Sequence, residues 1–244
     1  EVSHDFWNAF RKRVRSNNKD AFIVGEVWYE STPWLLGDEY DSVMNYLFRN
    51  PVRDWIGEDK ITVSEFANEM GAIRGRYHKR ANEVLWNLID SHDAPRFLHF
   101  AKGDKDKLKL AVLLQMTMSG MPMIYYGDEV GMTGDNDPDC RRGMIWEKEK
   151  QDRELFEYYK RLIAIRKQSE ALKKGEKIDE EIDDARNIYS YRKVYDQEEV
   201  LVIINASNTP VKWENHLGKI DLITNSIFQG VIPAKSGVVI QLRW

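Results

Sequence analysis

Short apolar runs and amphipathic stretches alternate over the first two-thirds of the chain, and this pattern predicts strands and helices in turn. Residues 4–17 read as a helix with Phe6, Phe10 and Val14 on one stripe. Ala21–Val24 is a continuous apolar run closed by Gly25 and Glu26, the signature of a strand buried on both faces. Asp41–Tyr46 reads as a weaker strand. A helix follows over 63–76, opened by the capping-box pair Thr62 and Glu65. Leu85–Asp90 predicts a third strand ending at Ser91-His92-Asp93. Asp104 then caps an apolar helix running from Leu108 to Met118 and stopped by Gly120. Pro122–Tyr126 predicts a fourth strand, ending at Gly127-Asp128-Glu129. The clearest helical stripe is Leu155, Tyr158, Tyr159, Leu162 and Ile163.

Near Lys173-Lys174-Gly175 the period shortens. Residues 188–191, 200–204, 211–213, 222–224 and 238–242 read as short strands between turn residues, an all-β pattern. The change places a domain boundary near 173–185, and we divide the chain into 1–175 and 176–244. Glu180–Asp184 reads as a solvated acidic loop. Strands alternating with helices imply a parallel sheet, either doubly wound or closed as a β/α barrel. Glu26, Asn45, Asp93 and Asp128 each sit where a strand meets its following loop. Polar groups delivered by four separate strands to one rim favour the barrel, whose chemistry sits at the C-terminal ends of its strands.

Composition narrows the possible chemistry. With 42% hydrophobic and 31% charged residues the chain is globular, and a formal charge of −4 argues against a protein that binds nucleic acid by neutralising phosphates. No apolar run approaches the ~20 residues a membrane-spanning helix needs. The single cysteine, Cys140, excludes an internal disulfide and a cysteine zinc cluster, and reads as a plain loop thiol; it permits a cytoplasmic location. There is no HExxH, no phosphate-cradling GxxxxGK[ST] and no GxSxG, so neither a metal site nor a cofactor is expected. Aromatic residues lie beside acidic loop residues, as in a carbohydrate cleft. Glu26, between an apolar strand and Trp28, has the surroundings that raise a carboxyl pKa for general-acid work. A lone acid at a strand end can equally cap a helix, and His92 alone can be an ordinary loop histidine. The combination of Glu26, Trp28, His92 and Asp93 points to glycosidic bond cleavage, whose oxocarbenium-like transition state needs a proton donor and a nearby anion.

Five stretches carry a resemblance: AFIVGEVW (21–28), WLLGDEYDSVMNY (34–46), LIDSHDAPRFL (88–98), PMIYYGDEVG (122–131) and NDPDCRRGMIW (136–146). They resemble the α-amylase family of glycoside hydrolases, in the branch of neopullulanase, cyclomaltodextrinase and maltogenic amylase. The resemblance implies an α/β fold, the second half of a (β/α)8 barrel, followed by a small antiparallel all-β sandwich. It implies a retaining hydrolase of α-1,4 bonds in cyclodextrin, pullulan or starch oligosaccharides. Glu26 matches the general acid/base, and Asp93 the carboxylate that stabilises the transition state. His92 matches a histidine on the same sugar, and Trp28 an aromatic on the leaving-group side. Asn45 and Tyr46 are assigned to the substrate wall, Asp137 and Arg141 to sugars farther along the non-reducing side. Asp128 and Glu129 are read as structural supports of the rim.

One departure sets a limit. The family's nucleophile is an Asp in a stretch resembling RLDVANEV, of which Glu1-Val2 resembles the tail. Asp5 is not a substitute. The chain is therefore expected to be a piece of a longer enzyme, inactive alone, with open sheet edges that pair with the missing N-terminal half of the barrel or, less simply, with a second copy in a homodimer. A non-catalytic carbohydrate-binding or subunit role, and an α-1,6-glucosidase, remain the alternatives. Tyr189, Tyr191 and Trp213 are read as packing residues rather than a sugar platform.

Overall fold

The computed structural model describes residues 2–243. In chain order the first part comprises α1 (His4–Asn17), β1 (Val24–Gly25), β2 (Ser42–Asn45), α2 (Tyr46–Val52, prolonged by a π turn over Arg53–Gly57), α3 (Val63–Arg76), α4 (Lys79–Asn82), β3 (Trp86–Asn87), α5 (Phe97–Phe100), α6 (Lys105–Thr117), β4 (Met121–Pro122), α7 (Arg153–Gln168) and α8 (Glu170–Lys174). β1 to β4 form one parallel sheet whose spatial order is the chain order. A doubly wound sheet reverses its order at a switch point; this one does not. Among the described residues, no helix is long and apolar enough to cross a membrane.

Helix starts follow local chemistry. Thr62 Oγ1 accepts from Glu65 N at 3.3 Å, and Glu65 Oε2 accepts from Thr62 N at 2.8 Å, completing the predicted capping box of α3. Asp104 caps α6 and Asp152 caps α7 with a single carboxylate accepting from the first turn. Removing such a cap costs about 1 kcal/mol. Thr62→Ala is therefore expected to lower the melting temperature by roughly 2–4 °C, read in a thermal melt; an unchanged midpoint would mean that tertiary packing alone holds the start of α3.

The strands are shorter than their apolar runs predict. β1 and β4 are the outer strands of the sheet, and each has one side without a partner among the described residues. Tyr46 belongs to α2 rather than to the second strand, because the Asn45 side chain caps that helix by accepting from Phe48 N at 3.2 Å. One face of the sheet is packed. Ile23, Val43 and Leu85 are buried with Tyr40, Tyr77 and Ala81. The opposite face carries Val24, Met44 and Trp86, all only partly covered, and Met121, 42% exposed.

The second part comprises β5 (Glu176–Asp183), β6 (Ile188–Tyr195), β7 (Glu198–Asn205), β8 (Val211–Lys212), β9 (Ile220–Asp221), β10 (Ser226–Ile227), β11 (Val231–Ile232) and β12 (Ser236–Arg243). Six strands form an antiparallel sheet in the order β10-β9-β12-β7-β6-β5, and β8 pairs with β11. Tyr189, Tyr191, Val200, Val202, Ile204 and Val239 on one face join the core built by α3, α6 and α7. Ile188, Leu201, Ile203 and Ile240 on the other face pack with Trp213, Phe228 and Ile232. Tyr189, Tyr191 and Trp213 are thus core residues, as expected.

Two expectations are corrected. The acidic stretch 180–184 is not a loop: all but Asp184 lies in β5, an edge strand whose acidic side chains lie toward water and whose buried Lys177 donates to the Tyr189 hydroxyl of β6 at 2.6 Å. Charged edges of this kind discourage pairing with other chains. The strand predicted at 222–224 starts two residues earlier, at Ile220–Asp221, because Asp221 accepts from Ile223 N and Thr224 N and bends the chain there.

Candidate active site

Alternation along a strand decides where the first carboxylate points. Ile23, Gly25 and Val27 are buried toward the helices, so Val24, Glu26 and Trp28 face the other way. Gly25 is required for the packed side. A Cβ there would meet the Tyr40 ring at 2.2 Å. Trp28 lies flat on Tyr46, with ring centroids 3.9 Å apart and 11° between planes. The buried Tyr46 hydroxyl donates to Glu26 Oε1 at 3.1 Å and lies 2.9 Å from Ser91 Oγ. Burial pushes the Tyr46 phenol far above its ordinary range, and the Glu26 charge adds to this, so Tyr46 remains a donor.

The loop after β3 supplies the other groups. Ser91 Oγ accepts from Asp93 N at 3.2 Å, which turns the chain so that Asp93 and His92 project together, with His92 Nε2 3.3 Å from Asp93 Oδ2. Arg141 donates to Asp93 Oδ1 at 2.7 Å and to the His92 carbonyl at 2.9 Å, and pairs with Asp137 at 2.8 Å. The polar tips of Glu26, His92 and Asp93 all lie within 4.8 Å of one another. Such a cluster is a possible cation site by spacing. However, the Arg141 guanidinium already fixes a positive charge on Asp93, which opposes a divalent ion.

Residues 2–151 match the family described as "Alpha amylase, catalytic domain". The chain belongs to the alpha-amylase family. It is 45% identical over 208 residues to a cyclomaltodextrinase of Geobacillus thermopakistaniensis (strain MAS1), a match covering 85% of this chain and 35% of that protein. It is 47% identical over 205 residues to neopullulanase 2 of Thermoactinomyces vulgaris, covering 84% and 35%. The crystal structure of Ttha1563 from Thermus thermophilus superimposes with a TM-score of 0.89 at 29% identity, covering 98% of this chain and 56% of that one. The chain thus spans about a third of the length of these curated relatives.

Most of the family positions come together in the structure, with two exceptions. Asn45 stands apart: it is buried on the helix side, capping α2 and donating to Asn87 Oδ1 at 2.8 Å, so its side chain faces away from Glu26 and Asp93. The apolar enclosure expected around Glu26 is also not formed. Among the described residues Tyr46 and Trp28 flank it, and Glu26 itself is exposed. Cys140 is a buried loop thiol donating to the His92 carbonyl at 3.1 Å.

Sequence reasoning passed over Arg96. It is fully buried and ties the loop after β3, which carries His92 and Asp93, to two stretches of the segment between β4 and α7. Its backbone N–H donates to Gly134 O at 3.0 Å. The guanidinium donates to Cys140 O at 3.1 Å, and to Tyr126 O and Asp128 Oδ1 at 2.8 Å each. Its plane lies over the Tyr125 ring at 4.4 Å. The signal was a charge set between Pro95 and the apolar pair Phe97-Leu98. Asp128 is structural, as expected, and Glu129 Oε2 holds the turn by accepting from Gly127 N at 2.8 Å.

Proposed function

We propose that this chain is the proton-donor half of a retaining α-glucan hydrolase, acting on α-1,4 bonds of cyclodextrin, pullulan or starch oligosaccharides. The convergence of Glu26, His92 and Asp93 within 4.8 Å is the observation that carries the reading. Glu26 protonates the leaving glycosidic oxygen, and later takes a proton from the incoming water. Asp93, oriented by Arg141 and Ser91, stabilises the positive charge on the sugar ring. His92 donates a hydrogen bond to the same sugar. The Trp28–Tyr46 stack forms a wall on the leaving-group side, and Tyr46 holds the Glu26 carboxylate in place. Asp137 and Arg141 reach sugars farther along the non-reducing side.

On this reading β1 to β4 are the last four strands of a (β/α)8 barrel, residues 1–175 are half of that catalytic domain, and 176–244 form a sandwich domain. The unpaired edges of β1 and β4 support it, as does the half-covered face of Val24, Met44, Trp86 and Met121. An N-terminal half would close both edges, enclose Glu26 and bring the nucleophile. A retaining pair needs that nucleophile about 5–5.5 Å from the acid. Cyclodextrin hydrolysis is therefore expected from a mixture of this chain with the N-terminal half, with retention at the anomeric carbon by NMR, and from neither piece alone. Hydrolysis by this chain alone, or inversion of the product, would refute the proposal.

A further inference from the structure

A second cavity, of about 380 Å³, lies on the helix side of the sheet, between α3, α8 and the start of β5. Neither Glu26, His92 nor Asp93 lines it. Its wall is mainly basic. Arg74, Lys79, Lys173, Lys174 and Lys177 face it, against two carboxylates, Glu83 and Glu176. Most of these cations already have carboxylate partners: Arg74 pairs at 3.6 Å with Glu176 of the cavity wall, and outside the cavity Lys177 pairs with Asp179 at 2.5 Å and Lys173 and Lys174 with Glu170. Lys79 has no carboxylate partner among the described residues.

Behind this wall is a buried lysine without a counter-charge. Lys193 has no exposed surface, and its Nζ donates to Ser119 Oγ at 2.7 Å, a hydroxyl on a residue that lines the cavity. Among the described residues no carboxylate pairs with it. Arg166 of α7, Lys177 of β5 and Arg74 of α3 add positive charge around it, and Glu83 after α4 is the acid that opposes them. Burial, reinforced by those three cations, pushes the Lys193 ammonium down to about 7. Proteins rarely bury an ammonium without pairing it, because desolvation is so costly. Met70, Ile73 and Met118 add an apolar patch to the same wall. The volume falls in the range of about 300–1,000 Å³ typical of small-molecule sites.

We propose that this cavity binds a small phosphate monoester, its phosphate among the basic side chains and its organic body on the apolar patch. A dianion answers several cations at once and supplies the charge that Lys193 lacks, with Ser119 between them. Proton linkage follows. In the free protein Lys193 is mostly neutral above about pH 7, whereas an unfolded lysine keeps its proton up to 10.5. Folding stability therefore decreases as pH falls from 10.5 towards 7. A bound dianion favours the ammonium, so binding takes up a proton within this window and tightens as pH falls.

The test uses phenyl phosphate as probe, with inorganic phosphate in parallel, on the full-length protein containing this chain. Isothermal titration at pH 8 in two buffers of different ionisation enthalpy reads both affinity and proton uptake. Phenyl phosphate is expected to bind at millimolar or tighter affinity, more tightly than inorganic phosphate, with uptake of a proton. The surface double variant Lys79→Ala/Lys174→Ala should weaken it by about tenfold. Lys193→Met should abolish the proton uptake. Absence of binding, an unchanged affinity in the double variant, or proton uptake persisting in Lys193→Met would each overturn the proposal. If Lys193→Met does not fold, the double variant still decides.

Discussion

Replacing Glu26 with Gln in the completed enzyme is expected to lower kcat on cyclodextrin by about 10²–10⁴-fold, the usual contribution of a general acid–base group. Gln is the informative substitution because its amide oxygen still accepts from the Tyr46 hydroxyl at the 3.1 Å position, so the wall of the site remains in place. KM should change little, since the proton is delivered only in the transition state. The discriminating substrate is a glycosyl fluoride, whose leaving group needs little help from a proton. Formation of the glycosyl-enzyme from the fluoride should be nearly as fast in Glu26→Gln as in the parent. Asp93→Asn should slow both substrates, because its charge acts on the sugar ring whatever the leaving group. If Glu26→Gln lost as much activity on the fluoride as on cyclodextrin, its role would be positional or electrostatic rather than acidic.

What could be read from the sequence was what local chemistry determines. Thr62 with Glu65, Asp104 and Asp152 announce helix starts that the structure reproduces, because a cap is decided within four residues. Glu26 and His92-Asp93 were legible because an apolar run ending in a polar group marks the end of a buried strand. The misses arose where a distant partner decides. Asn45 reads as a rim residue until β2 is seen to pass directly into α2, where capping and Asn87 take its side chain. The 180–184 stretch reads as a loop because its charges conceal a pairing with residues 188–191 that gives β5 its strand geometry. Arg96 reads as one more loop cation, and its importance appears only when Gly134, Cys140 and Tyr126 are brought to it from 30 to 44 residues away. The surroundings of Glu26 were anticipated from its neighbours in sequence, but the residues that would enclose it do not come from β1 or β2.

Arg96→Met, made in the complete protein, is expected to destabilise the fold by about 3–5 kcal/mol, the cost of leaving a buried charge unpaired. For a domain of this size that is roughly 6–20 °C in melting temperature. The reason lies in a pair of buried acids. Asp90 and Asp128 are both almost wholly buried and lie beside each other, and Asp90 Oδ2 accepts from Phe97 N at 2.6 Å. Burial, with the Asp90 charge beside it, lifts the Asp128 carboxyl well above its ordinary range, and burial also lifts Asp90. Two buried acids side by side favour holding a proton between them, and the Arg96 guanidinium, 2.8 Å from Asp128 Oδ1, balances the charge that is left. The sign of the pH dependence follows. An unfolded Asp ionises around 3.8, whereas the native pair retains protons above that pH, so this cluster loses stability as pH rises. Without Arg96 the pair must hold its protons to still higher pH. The deficit of Arg96→Met should therefore be larger at pH 8 than at pH 5. Asp128→Asn is the control: its amide N–H can face Asp90 where the shared proton lay, and its oxygen can accept from Arg96, so it should cost little at pH 7. A loss in Asp128→Asn as large as that in Arg96→Met would mean that Asp128 itself carries the charge that Arg96 balances.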